Sequence, residues 1–192
     1  MIYLASASPR RQELLRQLGI VFEVMPSDLL EVPLPTETPA QYVVRVSLDK
    51  ARFVAQQVAT RGLALRPVLG ADTEVVLDGE ILGKPADASH GQAMLKRLAG
   101  RTHEVLSGIA LIAGSRERTA LVRSRVTFAP LTDEMIAAYW ASGEPADKAG
   151  GYAIQGRAAA FITHIEGSYS GIVGLPIYEL ATLLHETQEA TL

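Results

Sequence analysis

The chain has 192 residues, a formal net charge of -3 at pH 7, 48% hydrophobic residues and no cysteine. The charge balance argues against a nucleic-acid partner, which needs a broad basic face, and without cysteine there are no disulfides, thiolate nucleophiles or zinc–thiolate sites. No basic segment leads into an apolar run and no run is long enough to cross a bilayer, so a cytoplasmic protein with no membrane partner is expected, folded as a single domain over residues 1–192 built as two lobes.

Ile2-Tyr3-Leu4-Ala5 reads as a short buried strand, and Ser6-Ala7-Ser8-Pro9-Arg10-Arg11 follows at once. Leu14, Leu15 and Leu18 then mark the apolar side of a helix that Gly19 stops. Ser8 is placed as its N-cap and Pro9 at the first helical position, where a missing N–H costs nothing. Unpaired N–H groups at a helix start favour an anion, and Arg10 and Arg11 add fixed charge and bidentate donors. A basic first turn opposes the helix dipole, so phosphate is expected there. A solvated basic turn is the alternative, and the segment alone leaves the two even.

Pro26 to Pro39 is expected as a loop, and Pro39 to Ala59 as a long helix. At 3.6 residues per turn, Val43, Val46, Phe53 and Val54 share one face. Lys50 falls in the middle of it. A buried stem with a snorkelling ammonium is the bland reading; a head group aimed into a cleft is the favoured one.

Pro67 to Thr73 reads as a strand that Glu74-Val75-Val76-Leu77 continues, and Asp78-Gly79 suits a two-residue turn into Glu80-Ile81-Leu82. Asp72 stands inside this strand, where aspartate is disfavoured, beside small residues that permit a close approach. Its carboxylate suits a divalent cation or a proton taken from water. Capping of a nearby amide explains it equally well. Gly83-Lys84-Pro85 bends and then forces Lys84 into an extended conformation. That fits a lysine held at a cleft edge or, more simply, a surface turn.

Asp87 to Leu98 reads as a helix, Val105 to Ile112 and Thr119 to Phe128 as two long antiparallel strands, and Thr132-Asp133-Glu134 as the start of a helix through Trp140. A glycine turn at Gly150-Gly151, a strand from Ala159 to Ile165 and a final helix from near Pro176 complete the chain. The fold class is α/β: a long mixed, partly antiparallel sheet flanked by helices.

Glu31 in the proline-rich loop reads as solvated. His90, His103, His164 and His185 form no pair at metal-ligand spacing and read as satisfied or exposed. Neither Gly-x-Gly-x-x-Gly nor Gly-x-x-x-x-Gly-Lys-[Ser/Thr] occurs. The residues that break the pattern are four cations, Arg10, Arg11, Lys50 and Lys84, and two carboxylates, Asp72 and Glu31. That inventory fits a metal-bound polyphosphate.

The chain resembles the Maf family of nucleoside triphosphate pyrophosphatases. Five short segments in order carry the resemblance: Leu4-Ala5-Ser6-Ala7-Ser8-Pro9-Arg10-Arg11, Gly70-Ala71-Asp72-Thr73, Gly83-Lys84-Pro85, Asp147-Lys148-Ala149-Gly150-Gly151-Tyr152 with Ile154-Gln155-Gly156, and Val173-Gly174-Leu175-Pro176. The resemblance implies a Maf/ITPase-like fold with the nucleotide in a central cleft between two lobes. It implies hydrolysis of a nucleoside triphosphate to the monophosphate and pyrophosphate with a divalent cation, Mg²⁺ or Mn²⁺. Asp72 matches the family's proton acceptor; Arg10, Thr73 and Gln155 match positions tied to substrate choice; and Glu31, Lys50 and Lys84 match residues at the phosphate end. Ser8 and Arg11 join the substrate-binding set, and Asp72 with Glu31 the metal set. Ser-Pro-Arg-Arg, Gly-Ala-Asp-Thr and Ile-Gln-Gly resemble the subgroup acting on dTTP and UTP. The resemblance also suggests a homodimer. Two departures stand out. Ser27-Asp28-Leu29-Leu30-Glu31 has one acid fewer than relatives often carry there, and Gly151 replaces the common alanine, which is expected to loosen that turn. A non-catalytic nucleotide-binding regulator of cell division and a house-cleaning pyrophosphatase for modified nucleotides are the competing readings.

Overall fold

A computed structural model describes residues 1–187. In chain order these form β1 (Ile2–Leu4), α1 (Pro9–Gln17), β2 (Phe22–Val24), α2 (Pro39–Thr60), β3 (Val68–Leu77), β4 (Glu80–Leu82), α3 (Ala88–Leu98), β5 (Thr102–Ala113), β6 (Arg116–Phe128), α4 (Asp133–Ala141), β7 (Ile162–Glu166), α5 (Tyr169–Val173) and α6 (Ile177–Glu186). Seven strands make one mixed sheet in the order β2-β1-β3-β5-β6-β7, with β4 also paired to β3. β1 runs parallel to β2 and β3; the β3–β4, β3–β5, β5–β6 and β6–β7 pairs are antiparallel. Among the described residues no helix is long and apolar enough to cross a membrane.

One expectation is corrected, and two elements were not foreseen. Residues 157–161 form a 3-10 turn rather than strand, so β7 begins only at Ile162. β2 was not expected: its three residues carry no periodicity of their own and are held by register with β1. The five-residue helix α5 was not expected either; Ser168 caps it through its hydroxyl on Gly171 N.

α2 crosses one face of the sheet. It starts at a reciprocal capping box between Thr38 and Gln41, with Pro39 in its first turn. Val43, Val46 and Val54 are buried on its inner face. The helix approaches the strands closely because Gly70 and Gly108 lie beneath it. A Cβ at Gly70 would stand 2.0 Å from Ser47 O, and one at Gly108 would stand 2.8 Å from Val43 O. Gly108 is the cross-strand partner of Asp72, so this contact sets Lys50, one turn beyond Ser47, against Asp72.

Elsewhere the core divides. Ile2, Leu4, Leu14, Leu15 and Leu69 cluster with Leu180, Leu183 and Leu184 of α6. Val75, Leu77 and Leu82 cluster with Leu95, Leu98, Phe128, Tyr139 and Tyr152. The long strands β3 and β5 contribute to both, and Val173 touches both. Between the clusters, β3 has an open edge. β1 pairs only with Val68 and Leu69, and β4 only with Val75 to Leu77. Residues 70–74 are therefore unpaired on that side. Side chains from both faces of β3 reach one space through this gap.

Candidate active site

A cavity of about 490 Å³ opens at that gap. Every residue expected at the site lines it: Ser8, Arg10 and Arg11 from the β1–α1 turn, Glu31 from the proline-rich loop, Lys50 from α2, Asp72 and Thr73 from β3, Lys84 after β4, and Gln155. Residues scattered over 148 positions of chain are brought to one place.

Lys50 is the hub. It is 6% exposed, and its ammonium lies 2.9 Å from Asp72 Oδ1 and 2.9 Å from Glu31 Oε1. The ammonium does not snorkel to solvent; it is held by two carboxylates. Glu31 is thus an ion-pair partner as well as the exposed loop acid that its surroundings suggested. Asp72 is 4% exposed, and its Oδ2 is buried with no hydrogen-bond partner among the described residues. An amide cap would have satisfied it, so the capping reading of Asp72 is corrected.

Sequence reasoning passed over Glu74. It lines the same cavity, and its Oε2 is also buried and unpartnered. Burial, together with the charges of Asp72 and Glu31, pushes its carboxyl up to about 8. The signal was available: residues two apart on a strand share a face, so Asp72-Thr73-Glu74 places two acids side by side.

Arg11 is anchored by its own protein. Nε donates to Gly174 O at 2.9 Å and Nη1 to Ser6 Oγ at 2.9 Å. Arg10 is freer, with Asp147 at 3.8 Å, and Asp147 also pairs with Lys148. Ser8 occupies the N-cap position, but its side chain makes no cap bond; instead its N–H donates to Ser6 Oγ at 3.3 Å. The first turn of α1 is left with no acid and no side-chain cap, so its donors remain available to an anion. Lys84 is exposed on a turn and also lines the cavity, so both readings of Gly83-Lys84-Pro85 hold. The Gly83 carbonyl accepts from Gly150 N at 3.1 Å and fixes that turn. Gly151 sits at φ +69, where glycine is unstrained, so it suits the turn instead of loosening it.

Thr73 points to the other face of β3. Its hydroxyl lies 3.1 Å from Ser107 Oγ and donates to Gly174 O at 3.4 Å. Gln155 is exposed at the cavity wall, and its amide makes no hydrogen bond among the described residues.

The donor set for a cation is all oxygen: Asp72, Glu74 and Glu31. Oxygen donors suit Mg²⁺ or Mn²⁺; the unpartnered Glu74 Oε2 fits such an ion, and the unpartnered Asp72 Oδ2 suits either the ion or a proton taken from water. Among the described residues no three His, Cys, Asp or Glu side chains are grouped to hold a metal by themselves. Phosphate oxygens would have to complete the shell, which is the usual arrangement for Mg²⁺.

Comparison with known proteins identifies the family. The family described as Maf-like protein matches residues 1–187. A "dTTP/UTP pyrophosphatase" of Ralstonia nicotianae is 55% identical over 190 residues, covering 95% of this chain and 92% of that protein. Proteins of the same name from Nitrosospira multiformis and Alkalilimnicola ehrlichii are 52% and 53% identical, covering 97% and 96% of this chain and 94% and 92% of theirs. The solved Staphylococcus aureus Ham1 protein overlaps with a TM-score of 0.38 and 13% identity, over 69% of this chain and 72% of its own.

Proposed function

The chain belongs to the Maf family, and we propose that it hydrolyses nucleoside triphosphates, dTTP and UTP foremost, to the monophosphate and pyrophosphate at the open edge of β3. One observation carries the reading: Arg10, Lys50 and Lys84 converge with Asp72 and Glu74 on a single cavity. The printed names of the relatives support the choice of substrate.

Arg10, Lys50 and Lys84 bind the non-bridging phosphate oxygens as point and fork charges. Asp72 acts as the base. Lys50 on Oδ1 fixes the carboxylate and leaves Oδ2 as the free acceptor. A water oxygen bonds to the α-phosphorus, its proton passes to Oδ2, and the bond from the α-phosphorus to the bridging oxygen breaks. Pyrophosphate leaves with the electron pair. Glu31 and Glu74 would hold a divalent cation, which when bound neutralises phosphate charge and polarises water, while Asp72 Oδ2 stays free for the proton. Arg11 shapes the pocket floor through Ser6 and Gly174. Gln155 offers its amide to the pyrimidine edge; the bonds Thr73 already makes suit it to shaping the wall. A cytoplasmic location and a homodimer belong to the same reading, the first from composition and the second from the resemblance.

The test is release of pyrophosphate from a panel of nucleotides with Mg²⁺ or Mn²⁺, then after chelation. Turnover highest on dTTP and UTP and abolished by chelation is expected. Binding without turnover would leave the regulator in its place, and turnover highest on modified nucleotides the house-cleaning enzyme.

A further inference from the structure

Ile154-Gln155-Gly156 lies in a segment with almost no regular structure, yet it is firmly framed. The frame comes from α4 and the residues after it. Tyr139, 3% exposed on α4, accepts from Ala153 N at 3.1 Å and donates to Glu144 Oε1 at 2.7 Å. Glu144 in turn accepts from Arg157 N at 3.0 Å through Oε2 and from Ala158 N at 3.5 Å through Oε1. One carboxylate and one phenol therefore grip both sides of Gln155. Burial pushes the Glu144 carboxyl up, but the Arg157 amide, the Tyr139 hydroxyl and the Ala158 amide together hold it below the ordinary range. It is thus an acceptor at neutral pH.

Gly156 fits the same frame. Its φ is ordinary at -107°, so conformation does not demand glycine there. Space does: a Cβ would lie 2.3 Å from Glu144 Oε2 and 2.4 Å from its Cδ. The glycine after Gln155 is where the Glu144 carboxylate sits.

We propose that Glu144 and Tyr139 are positioning residues for base selection: they hold Ala153–Ala158 so that the unpartnered amide of Gln155 stands at the cavity wall at a fixed place. The inference rests on the reading of this cleft as a nucleoside triphosphate site. Uracil and cytosine present inverted donor and acceptor patterns, and an amide carries both kinds of group. Discrimination then depends on where the amide stands, which the frame determines.

The experiment compares kcat/KM for UTP and CTP in the wild type and in Glu144→Gln, Tyr139→Phe and Gln155→Ala. A glutamine at 144 has one acceptor oxygen for three donors, and its amide opposes a backbone N–H. Each substitution is expected to lower the UTP-to-CTP ratio about tenfold, mainly through KM for UTP. Glu144→Gln added to Gln155→Ala is expected to lower it no further, because Glu144 acts through Gln155. Inhibition by inorganic tripolyphosphate, which has no base, should stay within about twofold throughout. The inference is overturned if either frame substitution leaves the ratio intact, if its effect persists undiminished without Gln155, or if tripolyphosphate inhibition weakens in parallel. Should Glu144→Gln not fold, Tyr139→Phe carries the same test. A wild type that cleaves UTP and CTP equally also overturns it while leaving the hydrolase reading standing. A wild type that cleaves neither removes that reading.

Discussion

Among the described residues, Asp72 and His103 are both buried with a side-chain atom left unpartnered, and they differ in kind. Asp72, at 4% exposure, leaves Oδ2 free. His103, at 2% exposure, leaves Nδ1 free, while its Nε2 lies 2.8 Å from the Tyr152 hydroxyl. Around Asp72 are Lys50, Glu31 and Glu74, at the wall of a cavity of about 490 Å³. Around His103 are rings: Phe128 at 5.2 Å and Tyr152 at 5.4 Å, both edge-on. Burial alone pushes His103 down to about 4. A buried polar atom without a partner thus marks a site only where a cavity and converging charge meet it. Elsewhere it is a cost to stability.

The comparison can be broken by substitution. Asp72→Asn should give the largest effect: turnover falls about 10²- to 10⁴-fold, the worth of a placed general base, while stability falls less than on removing Lys50, because Glu31 still holds the ammonium. Full turnover in a folded variant would remove Asp72 from the reaction. Lys50→Met comes next. It strands carboxylates in a buried place, and losing one partner of a buried pair costs about 3 kcal/mol. Urea denaturation should show that loss, and adding Asp72→Asn should recover part of it.

The other side of the comparison is tested by pH. His103 is neutral in the folded state and takes up a proton readily only when unfolded. Its contribution is fully present above about pH 6.5, the ordinary histidine value, and declines as pH falls toward about 4. From pH 7.5 to pH 5 the wild type should lose roughly 2 kcal/mol of stability to this group. His103→Gln should flatten that part of the profile and leave neutral-pH turnover within about twofold, by the same logic that denies it a catalytic place. A large loss of turnover would put His103 in the site after all.

The smallest effect concerns the loop that brings Glu31 to Lys50. Arg45 holds Glu37 through two bonds of 2.7 and 2.8 Å and donates to Val32 O at 3.0 Å. Arg45→Met should cost about 1 kcal/mol and raise KM a few-fold with little change in kcat, because charge-assisted bonds of this partly exposed kind are worth about that much.

Much of the fold could be read from the chain because local rules and tertiary context agree there. The Asp78-Gly79 hairpin turn, the paired strands β5 and β6, and the capped helix α2 each carry their own signal. β2, α5 and the late start of β7 do not: register with β1, a serine cap and the Glu144 grip on residues 157 and 158 decide them. At the site, Lys50 and Asp72 were legible because each violates the pattern of its element. Glu31 was not, since its partner lies in another element and an exposed loop acid looks ordinary. Glu74 hid behind Asp72 although strand alternation pointed to it. Glu144 and Tyr139 left no trace in the sequence, because a frame built from backbone amides depends on packing alone.

The central claim is that the cleft delivers water to the α-phosphorus of a nucleoside triphosphate. Hydrolysis of dTTP and UTP in ¹⁸O-labelled water with Mg²⁺, read by mass spectrometry, tests it directly. The account predicts one ¹⁸O in each monophosphate and unlabelled pyrophosphate. Label in the pyrophosphate, or release of orthophosphate with a nucleoside diphosphate, would contradict it.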